Sequence, residues 1–369
     1  MKPSRGTPDF LLLFLTLGMV GFGIVMIFSA SFTISYWNMG SRWFFTQRQL
    51  IWAGLGMFLM LFTMNIPFKY YKKHFLLILV VSFILLLSVF IPGLGIKLNG
   101  SRSWIGLGSF TIQPAEFAKL GLIIYLAALI SKKQEKMKDF KKGLMPCIIV
   151  TLIFFILIAL QPDYGTALIL ATTAGIMIVV GGARLKHIFY IILIGIAVIP
   201  FIIFSADYRI SRFTSYLEPW SDPYGSGYQL IQSLIALGNG GILGTGFGKG
   251  IQKFFYLPYP QSDFIFSVIG EELGFIGVTI FILIYLSLLW RVLIISLRSN
   301  NSFGTLIGVG FVSLFAVQAF INIGGVTGTI PITGVTLPFV SAGGSSLIVS
   351  MTAIGIILSL SRENNKSTQ

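Results

Sequence analysis

The sequence predicts an all-α integral membrane protein with about ten transmembrane helices and one large extracytoplasmic loop between spans seven and eight. Hydrophobic residues make up 55% of the 369 residues and charged residues only 10%, and the mean hydropathy is +0.88. This composition excludes a soluble domain. The apolar runs are too long for barrel strands, so the spanning elements are helices. The single cysteine, Cys147, excludes an internal disulfide framework.

Ten apolar runs are long enough for a helix that crosses a bilayer, which needs about 20 residues. The first run follows Lys2 and Arg5, and basic residues also precede the apolar segment of a signal peptide. This run is longer than the apolar segment of a signal peptide, so we interpret it as an uncleaved span. We treat residues 1–369 as one polytopic domain. The predicted spans cover residues 10–33, 48–66, 74–92, 114–131, 145–161, 165–182, 187–206, 264–290, 304–326 and 337–360.

The net charge of +14 follows the predicted topology. With ten spans both termini lie on one side, which receives 17 of the 26 basic residues, while the other side receives eight and Lys119 falls inside span four. By the positive-inside rule, both termini are cytoplasmic. The basic residues therefore serve orientation and contact with anionic lipid, and we expect no nucleic-acid partner.

Four arginines on the predicted outer side are candidates for binding a phosphate group, because a guanidinium can hold phosphate through two parallel hydrogen bonds. Arg48 stands at the start of span two, where anchoring at the membrane surface is the alternative. Arg102 lies in the loop Pro92–Gln113, which has five glycines and is expected to be folded. Arg209 and Arg212 lie three residues apart at the start of the largest outer loop.

Two further groups of charges lie near the outer ends of spans four and six. Glu116 and Lys119 are three residues apart on one helical face, which predicts an ion pair inside the membrane. This pair is either a structural clasp or part of a functional site. Asp163 lies in the turn QPDYGT and has two interpretations: it caps span six, or it serves a functional site.

One stretch at the start of span eight carries three of the twelve acidic residues, Asp263, Glu271 and Glu272. A carboxylate near the hydrocarbon edge is costly to keep ionised unless it is paired, hydrated or chemically useful. Either Ser262 or Asp263 caps the helix that is predicted to begin at Phe264, or Asp263 takes part in chemistry.

Two long segments are expected on the outer side. Ser205–Ser262 is too long for a connector, and three leucines between positions 230 and 237 predict an amphipathic helix at the membrane interface. Asn322–Ser346 has no charged residue and is rich in Gly, Thr and Pro. Such backbone at membrane depth is buried in protein or lines a cavity. We therefore predict that it forms a wall of the outer cavity.

Eight motifs follow one another along the chain. They are NGSRSWI (99–105), QPAEFAK (113–119), QPDYGT (161–166), YRISR (208–212), SGYQLIQS (226–233), PQSDFIF (260–266), EELGFIG (271–277) and TLPFVSAGGSS (336–346). Together they resemble the SEDS family, which contains FtsW, RodA and SpoVE, and the wording around SYLEPWSDP and YLPYPQSDFIF is most like the FtsW/SpoVE branch. Two positions depart from the family pattern: Tyr259 stands where Glu is frequent, and Ala342 stands where Tyr is common.

The resemblance implies a peptidoglycan glycosyltransferase that polymerises lipid II on the outer face of a bacterial plasma membrane, in division, sporulation or shape maintenance. It implies Asp263, in the DFIF motif, as the residue needed for activity. The implied partners are a class B penicillin-binding transpeptidase and other division or elongation membrane proteins. Two alternatives stay open, a lipid II flippase and a noncatalytic scaffold of the division machinery.

The implied reaction needs a base for the attacking sugar hydroxyl and cationic donors for the leaving pyrophosphate. We assign the first task to Asp263 and the second to Arg48, Arg102, Arg209 and Arg212. A divalent cation, Mg²⁺ or Mn²⁺, on Asp263 and the lipid phosphates is an option that no ligand cluster in the sequence establishes. The residues expected to shape the cavity are Glu116, Lys119, Asp163, Glu271, Glu272 and Ser345.

Overall fold

The computed structural model of the chain describes residues 6–98, 101–107, 110–204 and 207–366. Within these ranges the side chains of a few residues, including Arg209 and Arg212, lie outside the described part. The architecture is a bundle of helices with one small sheet. The helices are α1 (Phe10–Met39), α2 (Phe44–Asn65), α3 (Phe68–Lys73), α4 (Phe75–Leu87), α5 (Pro114–Lys132), α6 (Met145–Ala159), α7 (Tyr164–Val180), α8 (Leu185–Phe204), α9 (Asp207–Leu217), α10 (Tyr228–Gly240), α11 (Ile265–Leu297), α12 (Ser302–Val326) and α13 (Gly344–Lys366).

A helix coincides with each of the ten predicted spans, in agreement with the predicted all-α class. Among the described helices, six are long and apolar enough to cross a membrane: α1, α5, α6 with the turn before it, α11, α12 and α13. Helices α4 and α7 and the first half of α8 are apolar but shorter. The exact number of crossings therefore stays a prediction.

The last span shows the largest difference between a predicted and an observed helix start. The last span is predicted to begin at residue 337, whereas α13 begins at Gly344. Pro338 disfavours helical backbone at the residue before it, and the Ser341 hydroxyl accepts a hydrogen bond from the Leu337 amide at 2.8 Å, which holds the segment in a loop. Residues 337–343 therefore belong to the neighbouring non-helical wall.

The buried side chains form one hydrophobic cluster, in which α5 and α13 are central. In the most apolar part of each helix, 72% of α5 and 89% of α13 is buried, against 28% for α6 with its preceding turn. Because most of α5 is enclosed by protein, Glu116 and Lys119 on this helix are buried and kept away from lipid.

The loop between α4 and α5 is folded, as predicted, into a three-stranded antiparallel sheet. Its strands are β1 (Gly95–Leu98), β2 (Ser101–Leu107) and β3 (Phe110–Ile112), with β2 in the centre. The Ser101 hydroxyl donates to the carbonyl of Gln161 at 2.6 Å. This bond fixes the sheet beside the turn that precedes α7.

Helix α11 is broken at Gly274, whose φ of 65° and ψ of −170° are not helical. The glycine-rich segment 241–246 inserts at the break and satisfies four backbone groups that lose their helical partners. The outer loop and the broken helix are therefore built as one unit. The four bonds run from Thr245 N to Glu271 O (2.9 Å), from Gly246 N to Glu272 O (3.0 Å), from Phe275 N to Gly241 O (2.9 Å) and from Ile276 N to Ile242 O (3.1 Å).

The predicted helix of the outer loop is present as α10, and it packs along the first turns of α11. The hydroxyl oxygens of Ser233 and Ser267 are 2.7 Å apart, and Ser233 also donates to the carbonyl of Val326 at 2.6 Å. Both serines are completely buried. The face of α10 that carries Leu230, Ser233 and Ala236 therefore meets protein, whereas Leu234 is exposed. The position of α10 at the membrane interface stays a prediction.

Candidate active site

A polar cavity of about 360 Å³ lies at one end of the bundle, where α5, α7, α11 and α13 all begin. Three acidic residues line it, Glu116, Asp163 and Asp263, and no Lys or Arg is found among its described lining residues. Because the first turn of a helix carries partial positive charge, four helix starts partly compensate this acidic lining. They also favour an anionic ligand.

Asp263 lies just before α11 and lines the cavity. The helix begins at Ile265, with Phe264 at the N-cap position. Neither Ser262 nor Asp263 therefore occupies the N-cap position that the capping interpretation requires. The helix begins one residue later than the sequence predicts, and the Asp263 carboxylate is part of the cavity lining.

The backbone that carries Asp263 is held through three consecutive carbonyl groups. Each accepts one hydrogen bond from a part of the chain that is distant in sequence, so this short segment is fixed against α12 and the loop before α13. The bonds are Ala342 N to Gln261 O (2.9 Å), Ser341 Oγ to Ser262 O (2.7 Å) and Asn322 Nδ2 to Asp263 O (2.9 Å).

Gly334 lies beside the Asp263 carboxylate, and both residues line the cavity. A Cβ built on Gly334 would lie 3.5 Å from Asp263 Oδ2. Its φ of 73° is also in the left-handed region that favours glycine. The predicted role of the uncharged segment as a cavity wall is confirmed here, because residues 332–336 line the cavity beside Asp263.

The predicted ion pair of Glu116 and Lys119 is present, with 2.8 Å between Oε1 and Nζ. Glu116 lines the cavity, and Lys119 lies behind it with 1% of its surface exposed. Lys119 also donates to Gln318 Oε1 at 2.9 Å, and Gln318 Nε2 donates to the carbonyl of Thr336 at 3.0 Å. The pair is thus linked through α12 to the cavity wall.

Asp163 fits both interpretations that the sequence leaves open. It caps α7 by accepting from the Thr166 amide at 3.1 Å, and it lines the cavity. Burial raises the pKa of its carboxyl, while hydrogen bonds from Thr166 oppose that rise. Sequence reasoning missed Gln113, which joins two helix starts: its Nε2 donates to Asp163 at 2.8 Å and its backbone amide donates to Ser345 Oγ at 2.9 Å. Ser345 lines the cavity, as predicted.

Glu271 and Glu272 are predicted beside the cavity, but neither is among its lining residues. Glu271 accepts a hydrogen bond from the amide of Ile251 at 2.9 Å. Glu272 pairs with Lys253, with 2.6 Å between Oε1 and Nζ, and accepts from Ser29 Oγ on α1 at 2.6 Å. The two carboxylates therefore hold residues 251–253 of the outer loop against the broken helix. The insertion of segment 241–246 at Gly274 brings this loop into contact with α11.

Two of the predicted phosphate-binding arginines lie away from the cavity lining. The Arg48 guanidinium lies 5.6 Å from the centre of the Phe44 ring on its own helix. Arg102 is exposed and donates to the carbonyls of Gly95 and Ile91, both at 3.3 Å. That these two arginines bind pyrophosphate stays a prediction. Their positions outside the cavity lining do not favour it.

Arg209 and Arg212 lie on α9, and their side chains are outside the described residues. The helix itself is attached near the cavity wall, because the Tyr216 hydroxyl donates at 2.9 Å to the carbonyl of Thr329, which precedes the cavity-lining residues 332–336. Phosphate binding by these two arginines stays a prediction.

The described residues contain no group of three or more His, Cys, Asp or Glu side chains that could hold a metal ion. Of the three cavity carboxylates, Glu116 is paired with Lys119, and Asp163 accepts from Thr166 and Gln113. Mg²⁺ is commonly bound by one or two carboxylates together with substrate phosphates. A cation at Asp263 would therefore need substrate oxygens to complete its ligand set.

The family model of FtsW, RodA and SpoVE cell cycle proteins matches residues 10–366. The chain belongs to this family. Stage V sporulation protein E of Bacillus subtilis is 46% identical over 362 residues, which are 98% of this chain and 99% of that protein. The probable peptidoglycan glycosyltransferase FtsW of Geobacter metallireducens is 40% identical over 353 residues, covering 96% of this chain and 94% of that protein.

A solved structure described as "Structural coordination of polymerization and crosslinking by a peptidoglycan synthase complex" contains a similar chain. The TM-score is 0.80 at 29% identity, and the match covers 97% of this chain and 98% of the other. The SEDS resemblance of the motifs is thereby confirmed. With its apolar helices, this FtsW/RodA/SpoVE family member is a multi-pass membrane protein of bacteria.

Proposed function

We propose that this chain is a peptidoglycan glycosyltransferase that polymerises lipid II on the outer face of the plasma membrane. The observation that carries the proposal is the Asp263 carboxylate, which lines a polar cavity where four helices begin. Full-length relatives named as probable peptidoglycan glycosyltransferases support the activity. The distribution of basic residues supports placing both termini in the cytoplasm, and the cavity would then face outward.

Asp263 acts as the general base in this proposal. A sugar hydroxyl attacks the anomeric carbon of the second lipid-linked sugar, and its proton passes to the Asp263 carboxylate as the new glycosidic bond forms. The bond from the anomeric carbon to the pyrophosphate oxygen breaks at the same time, and the polyprenyl pyrophosphate leaves. General-base assistance of this kind is worth roughly 10²–10⁴ in rate.

The leaving pyrophosphate gains negative charge, which fixed dipoles and cations stabilise. The four helix starts at the cavity supply part of this stabilisation. We assign the cationic donors to Arg209 and Arg212 on α9, which Tyr216 attaches to Thr329, just before the cavity-lining residues 332–336. When bound, a divalent cation such as Mg²⁺ or Mn²⁺ on Asp263 and the substrate phosphates would supply further charge stabilisation.

The similar chain in the peptidoglycan synthase complex supports a partner that crosslinks the product. We therefore include in the proposal a class B penicillin-binding transpeptidase as partner, together with other division or elongation membrane proteins. Polymerisation and crosslinking would then occur on the same side of the membrane.

The proposal is tested with purified protein and lipid II, alone and with a candidate transpeptidase. A polymerase yields glycan strands that a muramidase digests. A lipid II flippase yields no polymer but moves lipid II between the leaflets of a vesicle. A noncatalytic scaffold gives neither result, so either of these two outcomes would overturn the proposed activity.

A further inference from the structure

Asn322 is a buried amide near the end of α12. Only 4% of its surface is exposed. Its Nδ2 group donates two hydrogen bonds, to the carbonyl of Asp263 at 2.9 Å and to the carbonyl of Val335 at 2.7 Å. One side chain thus joins two segments that are distant in sequence, and both line the cavity.

One of these carbonyls belongs to the residue that carries the carboxylate, and the other belongs to the segment beside that carboxylate. The first belongs to Asp263 itself, so its hydrogen bond fixes the peptide from which the carboxylate extends. The second belongs to the residue after Gly334, and a Cβ on Gly334 would lie 3.5 Å from Asp263 Oδ2. The Asn322 amide therefore sets the separation between the carboxylate and the wall that faces it.

The segment that carries Asp263 needs such an anchor. Tyr259, four residues earlier, has a φ of 50°, which is a strained conformation for a residue with a side chain. The other two carbonyl contacts of the segment come from Ser341 and Ala342, which lie in a non-helical loop. Of the three contacts, only that of Asn322 comes from a helix of the bundle, so α12 is the rigid reference for the carboxylate.

We propose that Asn322 is a positioning residue for Asp263, holding the carboxylate at the distance and angle that proton transfer from the substrate hydroxyl requires. This inference rests on the proposed function of Asp263. A displacement of about 1 Å from the reactive geometry can lower a rate by about 10²-fold. The two carbonyls accept and do not donate, so the amide NH₂ group is the part of Asn322 that acts.

The test compares two variants that remove the donor. Asn322→Leu is similar in size and replaces the amide by an apolar group, and Asn322→Ala removes the side chain beyond Cβ. We expect kcat for lipid II polymerisation to fall about 10- to 100-fold in each. The KM for lipid II is expected to stay within about twofold, because Asn322 touches the carboxylate segment and not the substrate.

The matched control is Asn364→Leu. The Asn364 side chain also donates to a backbone carbonyl, that of Ile295, at 2.8 Å, but at the opposite end of the bundle. The kcat of Asn364→Leu is expected to stay at the wild-type value. Should Asn322→Leu fail to fold, the smaller Asn322→Ala, which also removes the donor, carries the test.

A double variant separates positioning from a general structural role. In the Asp263→Asn background, Asn322→Leu should lower the residual rate by less than about twofold, because the group that it positions no longer takes a proton. If the double variant instead loses the product of the two single-variant factors, the inference is overturned. A wild-type kcat in the single Asn322 variants, or an effect on KM alone, would also overturn it. Equal rates for wild type and Asp263→Asn would instead overturn the proposed role of Asp263 itself.

Discussion

Lys253 and Glu272 form a buried ion pair, with 2.6 Å between Nζ and Oε1 and no more than 1% of either side chain exposed. Lys253 lies in the long loop before Asp263, and Glu272 lies on α11 just before its break. Ser29 on α1 contacts both partners, at 3.0 Å from Lys253 Nζ and 2.6 Å from Glu272 Oε1. The pair therefore fastens the loop to two helices of the bundle.

Removing one partner of this pair should be more harmful than removing both. Lys253→Met leaves a buried carboxylate without its counter-charge, which we expect to cost about 3–5 kcal/mol of folding free energy. The double variant Lys253→Met with Glu272→Gln has no unpaired charge and should regain much of that loss. The measurement is thermal unfolding in detergent. A single variant as stable as wild type would show that the pair does not fasten the loop.

The break in α11 depends on a glycine. In Gly274→Ala the new Cβ would lie 2.2 Å from the backbone nitrogen of Gly244, at a φ of 65° that alanine rarely adopts. We expect a loss of about 3 kcal/mol or more, seen as a lower unfolding midpoint or as lost expression. Gly54→Ala on α2 is the control, because its Cβ meets nothing within 4 Å. Equal stability of the two variants would contradict the insertion of segment 241–246.

The sequence predicts contacts within one helix better than contacts between distant segments. The Glu116–Lys119 pair follows from their spacing on one helical face, and Asp263 follows from the DFIF motif. The break at Gly274 does not, because a glycine within a long apolar helical run gives the same pattern whether or not another segment inserts there. Local spacing also does not predict roles that depend on contacts between segments distant in sequence. Such roles are those of Gln113, Glu271, Glu272 and Asn322.

The proposed topology places the exposed loop between α9 and α10 outside the cell. Tyr224 in this loop is 93% exposed, and the native Cys147 is completely buried and gives no background. A Tyr224→Cys variant should react with a membrane-impermeant thiol reagent in right-side-out vesicles. A Lys138→Cys variant, on the predicted cytoplasmic side, should react only after the vesicles are opened. The reverse labelling pattern would overturn the orientation.

Arg209 and Arg212 are expected to contact the pyrophosphate, and their variants should show it. Replacement by Ala should lower kcat/KM about tenfold or more, the scale of a lost charged hydrogen bond. Replacement by Lys keeps the charge but loses the planar fork, so the loss should be smaller. Arg102→Ala is the comparison, because Arg102 donates to backbone carbonyls outside the cavity lining. Losses for Arg102→Ala as large as for the α9 variants would move the pyrophosphate site toward the sheet.

In the proposed mechanism, the Asp263 carboxylate takes a proton during polymerisation. Asp263→Asn is nearly isosteric, keeps the backbone carbonyl that Asn322 holds, and should fold and bind lipid II as wild type does. The decisive measurement is the initial rate of lipid II polymerisation by equal amounts of folded wild-type and Asp263→Asn protein. We expect a rate lower by about two orders of magnitude or more in the variant, the scale of a lost general base. Polymerisation at the wild-type rate by well-folded Asp263→Asn protein would show that Asp263 is not the general base.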